Sequence, residues 1–169
     1  MNMRNFLMLF AVLFVTACGT TQDADDGMGA DQEAITTTAD PISSVDGMAV
    51  GAGTQEDLVV TAGDRIFFGY DQYNLTDEAR NTLTLQAEWL KQYAGVNVVV
   101  EGHADERGTR EYNLALGERR ANSVKNYLIA SGIDPTRVRV ISYGKERPAV
   151  PGSTPSAWAQ NRRGVTIVE

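Results

Sequence analysis

Cysteine and histidine are nearly absent from this 169-residue chain, which has one of each. A single cysteine excludes an internal disulfide framework. A single histidine removes the usual multi-histidine zinc and iron ligand sets. No apolar run is long enough to cross a bilayer: the longest, "FLMLFAVLFV" at residues 6–15, spans about 15 Å as a helix, half of a bilayer core. Bases are scarce as well, 15 Lys and Arg against 22 Asp and Glu, and the formal charge of −7 argues against a nucleic-acid partner. No GxSxG elbow and no internal repeat occurs.

What is present begins with an address. Arg4, the apolar run and the small residues of "VTAC" read as a secretory signal peptide over residues 1–17. The same four residues resemble the bacterial lipobox, with Val15 where Leu is usual, so Cys18 is the expected lipidation site and new N-terminus. Lipidation also removes the liability of an unpaired thiol in an oxidising compartment. Gly19 after the cysteine, rather than Asp, implies by the same resemblance the outer membrane and not the inner one.

The negative charge is concentrated directly after the cysteine. Residues 19–55 hold seven acids, no base and no aromatic residue. Such a segment buries too little apolar surface to offset its ordering entropy, which predicts a flexible acidic linker over residues 18–55. Its reach as a coil is ~33 Å. Residues 56–169 carry 15 acids and 14 bases, close to neutrality, and have the pattern of one globular domain.

Within that domain, strands alternate with helices. A short aromatic and branched strand starts at Arg65, ended by Gly69. Thr76 is placed to cap a helix whose stripe is Ala79, Leu83, Ala87, Leu90 and Ala94. Residues 96–102 read as a buried strand, 111–131 as a second helix closed by Gly132, 137–144 as a strand, 155–162 as a short helix and 165–168 as a last strand. The pattern predicts an α/β (α+β) sandwich with helices packed on one sheet.

The chemistry gathers in "GHADERGTREYNLALGERRAN", residues 102–122. Glu101, Asp105 and Glu106 offer carboxylates for glycoside hydrolysis, but spacing alone does not establish their separation, and "DER" gives its acids an arginine neighbour. No serine or cysteine is placed to use His103 as a base. His103 and Asp105 alone make a poor metal site, and His103 reads as a structural residue at a strand end. Arg120 is different. Its helical neighbours Leu116, Val124 and Leu128 form the apolar stripe, so its guanidinium faces the core and needs a partner. Asp105, leaving the preceding strand, is the natural carboxylate. Two readings stay open: an internal Asp105–Arg120 salt bridge, or a clamp in which the acid takes a ligand ammonium and the arginine a ligand carboxylate.

The motif "VEGHADERGTREYNLALGERRANSVKNYL", with "FFGYDQYNL" upstream and "SYGKERPAV" and "NRRG" downstream, closely resembles the OmpA-like domain family over about residues 57–169. That resemblance implies helices on one mixed sheet and non-covalent binding of the peptidoglycan stem peptide, chiefly its diaminopimelate, with no enzyme activity and no cofactor. It maps ligand contacts to Asp105 and Arg120, and further to Tyr70, Asp71, Arg107 and Leu116, with Arg162 assisting or structural. It further implies partnership with the periplasmic Tol propeller protein and its envelope-constricting system, used in cell division. Position 104 is Ala where the wider motif often has Thr, and Gly164 stands where a branched apolar residue is commoner. The competing expectation is a peptidoglycan-cleaving enzyme on the same anchor.

Overall fold

The structure, a computed structural model, describes residues 51–169. The expected signal peptide, Cys18 and all but the last five residues of the expected linker lie outside the described residues. Those last residues belong to the fold. Thr54 caps helix α1 (Gln55–Thr61) by accepting from the Asp57 N–H, and Leu58 is fully buried. The Gln55 amide fastens this helix to the last strand, donating to the Thr166 carbonyl (3.3 Å) and accepting from the Val168 N–H (2.8 Å). The sequence reading leaves residue 55 in the linker and assigns no helix here, because seven residues hold too few turns to show a periodicity.

Strand β1 (Arg65–Phe67) is followed by helix α2 (Asp77–Gln92), capped by the Thr76 hydroxyl on the Ala79 N–H. Ala79, Leu83, Ala87 and Leu90 face the core as their spacing predicts. Ala94 does not: the helix ends at Gln92 and Ala94 is exposed. In its place Gln86 and Trp89 are buried, each with its polar end satisfied. Gln86 donates to the Gly63 carbonyl (2.6 Å) and accepts from Thr166 (2.8 Å), and the Trp89 indole N–H donates to Asp57 (3.1 Å).

Strand β2 (Val98–His103) leads into helix α3 (Arg110–Ala130), whose cap is Thr109. Gly132, at φ +96°, ends α3: its N–H donates to the Ile129 carbonyl and the Ile133 N–H donates to Leu128. Only a residue tolerant of the left-handed region closes a helix in this way. Strand β3 (Val138–Gly144), helix α4 (Pro155–Asn161) and strand β4 (Arg163–Val168) complete the chain.

The sheet order is β1-β4-β2-β3. β2 and β3 are parallel, while β4 runs antiparallel to both β1 and β2, so the sheet is mixed. In register, Val98 sits opposite Val168, Val100 opposite Thr166 and Gly102 opposite Gly164, so these six residues share a face. On it Val98 and Val100 join Leu83, Leu90, Val124 and Leu128 in the core. The predicted fold class holds. α3 comes down onto β2 at two glycines: a Cβ on Gly102 would lie 1.8 Å from the Gly117 carbonyl oxygen. That contact fixes how deep the helix sits, and with it the height of everything α3 carries toward the site.

Candidate functional site

β2 ends at His103, where its pairing with β3 slips, and the Ala104 N–H donates to the Gly144 carbonyl (2.8 Å). Residues 105–108 then form a strap that delivers the chain to the Thr109 cap. Gly108, at φ +93°, makes the final turn. Asn113, buried one turn into α3, holds the strap by donating to the Arg107 carbonyl (2.8 Å). Opposite the strap is the loop after β1, where Asp71 is the one described non-glycine residue in the left-handed region, at φ +56°. Asp tolerates that conformation better than most residues, and such a position marks a backbone held in place by its surroundings. The Tyr112 hydroxyl donates to its carboxylate.

Between strap, loop and α3 lies a cavity of about 150 Å³. Tyr70, Asp71, Asp105, Arg107, Leu116 and Arg120, the six residues to which the family resemblance points, all line it. So do Gly108, Tyr112 and Asn113, which the sequence reading omits. The signal for Tyr112 is there: it lies four residues before Leu116 and eight before Arg120, one further turn along the same stripe. Arg162 is not part of the lining. It stands behind Asp105, donating to the Phe68 carbonyl (3.0 Å), with its other end 3.5 Å from the carboxylate.

Arg120 is fully buried, as its helical phase requires, but its partners differ from the expected one. Its Nε, Nη1 and Nη2 donate to the carbonyls of Gln72 (2.8 Å), His103 (2.8 Å) and Gly69 (3.0 Å). Among the described residues no carboxylate pairs with it. Three carbonyl oxygens satisfy the hydrogen-bonding geometry of a guanidinium while leaving its net charge uncompensated. Burial, followed by the charge of Arg162, lowers its pKa to about 10, so it stays cationic at neutral pH.

Asp105 pairs locally instead. Its carboxylate accepts from the Arg107 backbone N–H and Nε (both 3.1 Å) and from Arg107 Nη2 (2.6 Å). Burial pushes this carboxyl up, but the Arg107 donors outweigh it and hold it below the usual carboxylate range. The Arg107 guanidinium is itself stacked between the rings of Tyr70 (4.2 Å) and Trp158 (4.1 Å). The cavity therefore presents a buried cation without an ionic partner, a carboxylate held by a neighbouring arginine, and a second carboxylate, Asp71, bonded to a tyrosine. A small zwitterion matches that set.

The remaining carboxylates do not converge with them. Glu106 turns to the opposite side of the strap, where it accepts from the Trp158 indole N–H (2.9 Å), and Glu101 lies 3.3 Å from His103 Nε2. His103 is buried and packs on Tyr143 at 5.7 Å between ring centroids, away from the cavity lining. Burial, then the charges of Arg163 and Arg147, lower its pKa from 6.5 to about 4. The unfolded chain thus binds a proton between these values that the folded chain refuses. Stability is complete above pH 6.5 and falls as pH drops toward 4, by roughly 3 kcal/mol from this group. Urea unfolding at both ends of that window, on the native chain and on His103→Gln, measures the effect. Equal pH slopes for the two would refute it; Asp105 acts in a lower window and is common to both.

The OmpA family matches residues 67–162. A peptidoglycan-associated lipoprotein from Rhizobium meliloti (strain 1021) is 50% identical over 125 residues, which is 72% of this chain and 71% of that protein. One from Mesorhizobium japonicum is 52% identical over 120 residues, 71% of each chain. The crystal structure of the peptidoglycan-associated lipoprotein from Burkholderia pseudomallei superposes with a TM-score of 0.61 at 36% identity, over 63% of this chain and 90% of that one. The C-terminal domain of Helicobacter pylori MotB shares the fold at 20% identity with a TM-score of 0.59, over 63% of this chain and 84% of that one.

Proposed function

This chain belongs to the OmpA family, and from that premise we propose that it is an outer-membrane lipoprotein tethering the membrane to the cell wall. Cys18 carries the lipid, the chain between it and the Thr54 cap of α1 supplies the reach, and the cavity of the folded domain grips the diaminopimelate of the peptidoglycan stem without covalent chemistry. The observation that carries this reading is the buried Arg120 cation sharing a cavity with Asp105 and Asp71. The ligand carboxylate docks on the guanidinium N–H groups that the three carbonyls leave free. The ligand ammonium exchanges with Arg107 at Asp105, and Asp71 offers a second acceptor. Tyr70 and Trp158 keep the displaced guanidinium close. Leu116 walls the aliphatic stem. We place the protein in the Tol-Pal system, with the periplasmic Tol propeller protein competing for the same region during envelope constriction at division.

A cleaving enzyme needs two carboxyl groups flanking one bond, with one kept protonated. Asp105 is shifted in the opposite direction, Asp71 in the same cavity is engaged by the Tyr112 hydroxyl, and Glu106 faces another cavity. The test uses purified sacculi and detergent-solubilised protein. A tether is retained without release of soluble muropeptides and is displaced by free diaminopimelate; time-dependent release would sink it. Asp105→Asn keeps the shape and removes the charge, so retention should fall about 10- to 100-fold, the loss of one charge-assisted contact. Retention at the native level in a folded Asp105→Asn protein would remove the acid from the clamp.

A further inference from the structure

On the far side of the strap lies a second cavity, of about 290 Å³. Alternation along the strap separates the two: Asp105 and Arg107 line the first cavity, whereas Ala104 and Glu106 line the second. Its opposite wall is the loop after β3, including Lys145, Pro148, Val150 and Pro151. That wall is built. Buried Asn161 accepts from the Ala149 N–H (2.7 Å) and the Val150 N–H (3.0 Å) and donates to the Val150 carbonyl (2.8 Å). The two cavities are neighbours across the strap: Gly108 lines the first, and its carbonyl accepts from Nζ of Lys145, which lines the second, at 2.7 Å. A second Lys145 N–H goes to the Glu106 carbonyl (3.2 Å), which leaves the third for a ligand.

We propose that this second cavity is a subsite for the D-alanine that follows diaminopimelate in an uncleaved stem peptide. The inference rests on diaminopimelate occupying the first cavity. With the free zwitterionic end of that residue at Arg120, its chain-linked end lies at the cavity mouth, and the next residue begins within one residue length of it. An acylated D-alanine presents an amide N–H, a methyl group and, at the end of a tetrapeptide stem, a carboxylate. The second cavity answers each in turn: the Glu106 carboxylate accepts, the Ala104, Pro148, Val150 and Pro151 surfaces take the methyl, and Lys145 takes the carboxylate. The subsite makes the protein a reader of stem length as well as a wall anchor.

Calorimetric titration of the detergent-solubilised full chain with two purified stems decides the matter: the tripeptide ending at diaminopimelate and the tetrapeptide ending in D-alanine. The tetrapeptide should bind about tenfold more tightly, the value of one added charge-assisted contact. Val150→Asp, which places an anion in the wall without touching the backbone bonds to Asn161, should bind the tripeptide as the native chain does and lose the tetrapeptide advantage. Lys145→Met should lose the same advantage. Equal affinity of the native chain for both stems overturns the subsite and leaves the diaminopimelate clamp standing, as does an advantage that survives in both variants. Failure of either stem to bind overturns the clamp itself.

Discussion

Arg120→Ala should both abolish sacculus retention and lower the stability of the domain by roughly 3–5 kcal/mol. The two losses have separate causes. The guanidinium is the only donor among the described residues that reaches the carbonyls of Gln72, His103 and Gly69 together, and it draws the loop after β1 and the end of β2 onto α3. Truncation takes the guanidinium donor from all three carbonyls, leaves the buried His103 oxygen without it while Gly69 keeps the Gln72 N–H, and opens a void where the fully buried side chain stood. Binding is lost because the one cavity cation that has no carboxylate of its own is gone. Arg120→Lys separates the effects, because an ammonium keeps the charge but cannot span three carbonyls in the planar fork of a guanidinium. Its stability should be intermediate, and retention should fall further than the retained charge alone would suggest. Unfolding midpoints in urea, read beside retention on sacculi, check both parts. An unchanged midpoint in Arg120→Ala would contradict the brace, and native retention by a folded variant would contradict the clamp.

Gly102→Ala should be more damaging still, at about 4 kcal/mol or more, enough to leave little folded protein. Its Cβ would fall 1.8 Å from the Gly117 carbonyl oxygen and 2.5 Å from the carbonyl carbon, so backbone would have to move, and a rotamer change brings no relief. Either α3 lifts from the sheet or β2 breaks its pairing with β3 and β4. Both moves carry Arg120 away from the His103 carbonyl and widen the cavity beside it. Gly117→Ala is the milder partner. Its nearest obstacle is the Ser142 hydroxyl at 2.4 Å, a side chain able to turn away at the cost of its bond to the Leu114 carbonyl, although the Gly102 carbonyl at 2.8 Å still limits it. Soluble expression and thermal unfolding of the two variants test the ordering. A Gly102→Ala protein with the native midpoint would mean that helix and strand are not in backbone contact.

Both residues show how far sequence reading reaches here. Period alone places Arg120 among Leu116, Val124 and Leu128 and so puts a charge on the buried face of α3. Spacing within "DER" likewise offers Asp105 an arginine, and Arg107 is the one it takes. Period also holds for α2 until Ala94, where the helix has already ended. The identity of Arg120's partner is another matter. Carbonyls exist at every residue, and nothing in a linear pattern marks those of Gly69 and Gln72 as turned inward. The strained Asp71 turn between them sets that direction, and it is held by Tyr112, 41 residues away. Gly164 is similar. As a strand residue it looks like a weakness, yet β4 begins one residue earlier, and a Cβ at Gly164 would press on Val124 at 3.3 Å.

While the other four cavity residues came from the family resemblance, the sequence by itself determined the helices and strands from β1 onward, the buried phase of α3, and the singling out of Asp105 and Arg120. These properties depend on neighbours within one or two helical turns or a strand pleat, where periodicity and capping chemistry act. Tertiary structure alone decided that Arg120 is braced by carbonyls and keeps a free charge, that Asp105 is lent to Arg107, that Gln55 opens a helix docked on β4, and that Lys145 in the wall of the second cavity bonds to Gly108 in that of the first. Each of those depends on backbone groups brought together from distant parts of the chain, and backbone groups are the same at nearly every position.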